Sequence, residues 1–118
     1  DGRAAPRAPA RPSPVRFIRR YYADLNAQRF AEAWARLSPA VRAALGPYDR
    51  WKAGYGRTIS STPRAFSVDG GTVTHTLVAR DEGCARERRF KVTWRLAPDG
   101  DSWAVNGLSA TAAGPQAC

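Results

Sequence analysis

The chain reads as an α+β domain, helices leading and an antiparallel sheet following. From about Pro14 to Gly54 the apolar residues recur near the helical period of 3.6, and from Arg57 onward they alternate. Hairpin signals then separate the alternating runs: "DGG" at 69–71 and "PDGD" at 98–101.

Residues 1–13 hold several prolines and no large apolar side chain, so they read as an extended, disordered Pro/Arg-rich linker that cannot offset its ordering entropy. Residues 14–118 form the single domain. Ser13 before Pro14 is a helix start, an oxygen cap followed by proline in the first turn. The first helix is expected from Pro14 to Ala27. Val15, Ile18, Tyr21, Tyr22 and Leu25 share its apolar stripe, with Phe17 at the edge and Arg16, Arg19 and Arg20 on the wet side. A second helix over Arg29–Leu37 places Phe30, Ala33, Trp34 and Leu37 at helical spacing. Ser38-Pro39 opens a third, with Val41 and Leu45 inward, and Gly46-Pro47 breaks it. A last helical piece, Pro47–Gly54, gathers Tyr48, Trp51 and Tyr55.

Thr58–Val68 reads as a strand interrupted, or placed at an edge, by Pro63. Thr72–Arg80 puts Val73, His75, Leu77 and Ala79 on one face and threonines on the other. Arg88–Ala97 alternates most clearly, with Phe90, Val92, Trp94 and Leu96 opposite Arg89, Lys91, Thr93 and Arg95. Ser102–Thr111 is the last strand. Such a meander buries one face, and the helices are expected to cover it.

The 118 residues suit one domain, and no apolar run is long enough to span a bilayer. Net charge is +9, yet 17 of the 19 basic residues are Arg beside abundant Ala, which suggests a coding bias. Residues 1–20 hold six Arg against one Asp, so much of the excess lies in the tail and first helix and no nucleic-acid partner is expected. The chain has no Met and reads as a piece of a longer protein, with an upstream signal anchor or transmembrane helix as its expected membrane link.

The cysteines are Cys84 and Cys118. Beside a single histidine, His75, they make no zinc set, and no metal or cofactor is expected. If the last hairpin pairs residue 97 with about 103, the same register carries residue 118 to about residue 82. A Cys84–Cys118 disulfide follows as an expectation, and with it an extracytoplasmic compartment.

"VRFIRRYYADLNAQRFAEAWARLSP", then "YDRWKAGYG", then a meander ending "DSWAVNGL" resembles the nuclear transport factor 2-like superfamily, which includes ketosteroid isomerase-like and polyketide cyclase-like proteins. The resemblance spans roughly residues 14–111. It implies a cone, with helices closing over the concave face of a curved sheet. Some members are enzymes and others are binding or accessory domains, including extracytoplasmic ones behind membrane anchors.

An isomerase-like member needs a carboxylate base in the cone beside a phenol donor, for which Tyr21 or Tyr22 could serve. The sheet acids fall in turns or at strand ends, Asp24 lies off its helix's apolar stripe, and Asp49 alone flanks an aromatic cluster. No catalytic residue is assigned. His75 reads first as a hydrogen-bonded core histidine, with a pocket acid or base as the alternative. Where phenol and indole groups converge, Tyr21, Tyr22, Trp34, Trp51, Tyr55, His75 and Trp94 are the candidates to line a pocket for a small apolar or amphipathic ligand. The expected function is a non-catalytic extracytoplasmic accessory or sensory domain that binds such a ligand or a protein partner. The alternative is a small-molecule isomerase, cyclase or dehydratase. The Thr/Arg face of the sheet is too wet for an obligate interface, which favours a monomer.

Overall fold

The computed structural model describes residues 11–116. Helix α1 (Pro14–Asn26) opens as its cap residues require: Ser13 Oγ accepts a hydrogen bond from the Arg16 amide at 3.1 Å. Phe17, Ile18, Tyr21, Tyr22 and Leu25 are its buried apolar face. Phe17, expected at the edge of the stripe, is fully buried, while Val15 is only half-buried. The stripe is rotated because Leu37 and Arg36 arrive from the next element, with Arg36 stacked 5.7 Å over the Phe17 ring.

Helix α2 is shorter than the expected Arg29–Leu37. It runs Phe30–Ala35 and has no side-chain cap. Leu37 leaves the helix to bridge Val105 of the last strand, and the Ser38 amide donates to the Val105 carbonyl at 3.2 Å. The Ser38 hydroxyl then caps α3 (Pro39–Leu45), and Gly46 at φ 93° turns the chain into α4 (Tyr48–Ala53).

Strands β1 (Thr58–Asp69), β2 (Thr72–Asp81), β3 (Arg88–Asp99) and β4 (Ser102–Ala112) form one antiparallel sheet in chain order. β1 is an edge strand, and Pro63 does not break it; it pairs opposite Leu77. The Ser61 amide and carbonyl both bond outward to Asn26, so two residues on the missing Pro63 N–H also points away from the ladder. The irregularity comes between Arg64 and Ser67, where Ala65 adopts φ 56° in a bulge. The extra residue turns Phe66 onto the helix side, against His75 with ring centroids 5.0 Å apart.

The last hairpin pairs Ala97 with Ala104, and a second bulge between Arg95 and Leu96 moves the register on by one more residue. The helices lie over one face, where Val73, Val92, Trp94, Leu96 and Val105 meet the α1 stripe. Of the expected linker, residues 1–10 lie outside the described residues. Arg11 and Pro12 are held on the domain. Arg11 donates to the Ser102 and Gly100 carbonyls, and Pro12 accepts from the Trp103 indole at 2.8 Å.

Candidate functional site

Two rings of α1 face the sheet side by side, Tyr21 and Tyr22, with centroids 5.2 Å apart and edge to face. Adjacent helix positions diverge by about 100°, so the two phenols meet different polar partners, while both rings pack edge-on against Trp94.

Tyr22 reaches His75 and Trp94. The Trp94 indole N–H, which can only donate, lies 2.9 Å from His75 Nε2. Nε2 is therefore the acceptor, and the imidazole proton sits on Nδ1, which donates to the Thr76 carbonyl at 2.9 Å. The Tyr22 hydroxyl also approaches Nε2, at 3.3 Å. Both ring nitrogens are thus committed with the imidazole neutral. Burial lowers the His75 pKa from its ordinary 6.5, against the opposing Thr76 bond. Burial also raises the Tyr22 phenol far above its ordinary range.

Tyr21 joins Tyr55 and Trp51. Its pKa is raised well above 10.0, first by burial and then by the neighbouring Tyr55 and Tyr22 phenols, with the Trp51 indole opposing. Tyr55 is raised by burial too, while accepting from Tyr21 and Trp51 holds it back. Trp34 stacks at a tilt on Trp51, with centroids 4.8 Å apart, and is only half-buried. Among the described residues no buried side-chain nitrogen or oxygen lacks a partner.

The seven candidate residues therefore divide. Tyr21, Tyr22, Trp51, His75 and Trp94 are buried in a satisfied network, and Trp34 packs against its border. Tyr55 is the one of the seven that lines the cleft described next.

Asp24 is the buried acid of α1, contrary to its expected place off the apolar stripe. It is not in the ring clusters. Its oxygens take Arg29 and Arg36, the latter at 2.9 Å, so one carboxylate shared by two guanidiniums ties the end of α1 to both ends of α2. Its burial comes from the two arginines that flank α2 and fold onto that side of α1, a contact that helical spacing does not encode.

A cleft of about 390 Å³ opens between the end of α1, α4 and the start of β1. Leu25, Phe30 and Tyr55 give it an apolar wall, and Asp49, Lys52 and Glu82 bring charge to it. Asp49 and Glu82 are exposed and make no ion pair among the described residues. Lys52 lies 5.6 Å over the Phe30 ring. The sequence reading missed Gln28, Ile59 and Glu82 as lining residues. Ile59, 53% exposed on a strand end, was the available signal: a large aliphatic side chain left in water next to charges.

Among the described residues no group of His, Cys, Asp or Glu could hold a metal ion, and no helix is long and apolar enough to cross a membrane. The expected Cys84–Cys118 pairing involves Cys118, which lies outside the described residues. No protein-family model, curated protein or solved structure matches the chain, which neither supports nor opposes the family resemblance.

Proposed function

We propose that the domain is a non-catalytic binding module of the nuclear transport factor 2-like kind that works outside the cytoplasm. It takes a small amphipathic ligand in the cleft between α1, α4 and β1. The observation carrying this reading is the contrast between the two regions. The polar atoms of the buried ring clusters are committed to one another, so opening a pocket there would strand indole and phenol groups at about 1–3 kcal/mol each. The cleft instead combines an apolar wall with exposed carboxylates that carry no ion pair among the described residues. Such a lining suits a ligand with an apolar body and an amine.

Phenethylamine is a fitting probe. In an amide-resolved NMR titration, shifts should cluster at Asn26, Tyr55, Ile59 and Ser61, and the double variant D49N/E82Q should weaken binding about tenfold. Shifts centred on Tyr22, His75 and Trp94, or none at millimolar probe, would remove the cleft from consideration.

The enzyme reading keeps one observation in its favour: Asp49 and Tyr55 line the same cleft, a carboxylate and a phenol. Asp49 is exposed, however, and a general base works best where water is excluded. Isomerisation of a β,γ-unsaturated 3-ketosteroid that disappears in Asp49→Asn would establish that reading in place of ours.

The extracytoplasmic part rests on the disulfide. Phe90 pairs with Ala112 and the Ala113 amide donates to the Arg89 carbonyl. β4 therefore runs back along β3 toward the turn that carries Cys84. We infer a Cys84–Cys118 bond, typically worth about 2–4 kcal/mol. Intact mass after alkylation of native, unreduced protein should show no label; two labels would refute the bond.

A further inference from the structure

The sheet face turned away from the helices carries a surface of its own. Strand register fixes its layout. Arg64, Thr76 and Lys91 form one cross-strand row, Thr74, Thr93 and Ser109 the next, and Arg95 lies beyond, opposite Gly107. Arg64, Lys91 and Arg95 are exposed. The acids near this face stand at its margins: Asp69 ends β1, and Glu87 lies 3.7 Å from Arg89 before β3 is well under way.

Gly107 shapes the middle of it. A Cβ at that position would come 3.2 Å from the Arg95 stem. Glycine thus lets Arg95 lie across β4, at the rim of a shallow hollow of about 330 Å³ that also touches Thr93 and Ser109.

Four kinds of partner could meet a cationic sheet face, and chemistry separates them. A second copy would set the same cations against themselves, which opposes a symmetric pairing. A stable protein interface needs an apolar centre, and threonines and arginines do not supply one. Single-stranded nucleic acid is gripped by stacking on aromatic rings. The rings of the strands, Phe66, Phe90, Trp94 and Trp103, all pack with the core on the helix side. An anionic polysaccharide needs cations spaced among hydroxyls that both donate and accept, which is what alternating Arg/Lys and Thr/Ser provide.

We propose that this face binds an acidic polysaccharide, its carboxylate or phosphate groups on Arg64, Lys91 and Arg95 and its sugar hydroxyls on the threonine and serine row. The surface is separate from the cleft, so neither reading depends on the other.

Polygalacturonate is the test probe, with neutral dextran and a random DNA duplex beside it, in calorimetric titrations at low and moderate salt. Polygalacturonate should bind, more weakly as salt rises. K91E/R95E should lose about tenfold or more. R16E/R20E makes the same charge change on the exposed side of α1 and should stay within about twofold. Melting curves accompany each variant, and Lys91→Gln with Arg95→Gln serves if the charge reversal unfolds the sheet. The proposal is overturned by no polygalacturonate binding at low salt, by dextran binding equally well, by a tighter DNA complex, or by equal losses in both double variants.

Discussion

His75 is held by a donor that cannot accept and an acceptor that cannot donate, the Trp94 indole and the Thr76 carbonyl. That pairing fixes a neutral imidazole in the folded chain, whereas the unfolded chain protonates it near pH 6.5. The unfolded state then binds more protons as pH falls, so His75 contributes its full stability above pH 6.5 and progressively less below it. As the chain's only histidine, it should account for the change in urea midpoint between pH 6.5 and 5. His75→Gln, a neutral side chain that can also accept from Trp94 and donate to Thr76, should flatten that segment; an unchanged slope would contradict the assignment. Trp94→Phe removes the donor and should cost about 1–3 kcal/mol at pH 7. The core role of His75 was legible from its place between Val73 and Leu77. Its tautomer was not, because Trp94 is its partner only through the β2–β3 register. Asp81 behaves in the same direction at lower pH. The bidentate Arg88 contact depresses its pKa below 3.8, so its contribution is present above that value and lost as acid protonates it.

At the scale of elements, α1 is hydrogen-bonded to the edge of β1 through Asn26, and Arg19 stacks on Phe66 further along the same strand. Asn26 accepts from the Ser61 amide at 2.8 Å and donates to the Ser61 carbonyl at 3.0 Å, taking the place of a neighbouring strand at an edge. Asn26→Ala should lower stability by about 1–2 kcal/mol in chemical denaturation, since it removes both bonds at a buried serine. The β1 bulge gives the opposite sign. Ala65 sits at φ 56° with its side chain exposed, a conformation costly to any Cβ. Ala65→Gly should leave the fold intact and raise stability by up to about 1 kcal/mol; a loss instead would mean that the alanine methyl has a packing role. Helix starts at Ser13 and Ser38 were readable because cap and proline act within a few residues. The early end of α2 was not, because Leu37 is drawn out by Val105, far along the chain.

Across the whole molecule, charge and ring chemistry divide between two sides of one sheet. The rings lie with the helices, and the outer face keeps Arg64, Lys91 and Arg95. Such a division follows from strict alternation on β3, where each inward Phe90, Val92 or Trp94 leaves a polar neighbour outward. The N-terminal approach is also tied in: Arg11 spans the β3–β4 turn and stacks 5.1 Å over Trp103. Arg11→Ala should loosen the approach to α1 and fray its first turn, read as faster trypsin cleavage after Arg16 with little change in the midpoint of global unfolding. Equal cleavage rates would show that Pro12 and Trp103 suffice.

Local pattern decided the class of this protein. A switch of apolar period near residue 57, serine-proline helix starts and glycine turns act over a few residues, and each came out where the chain placed it. The cleft, the Asp24 joint and the tautomer of His75 depend on groups that meet across long stretches of chain. Side-chain chemistry names which groups can pair, but packing and strand register choose which of them do.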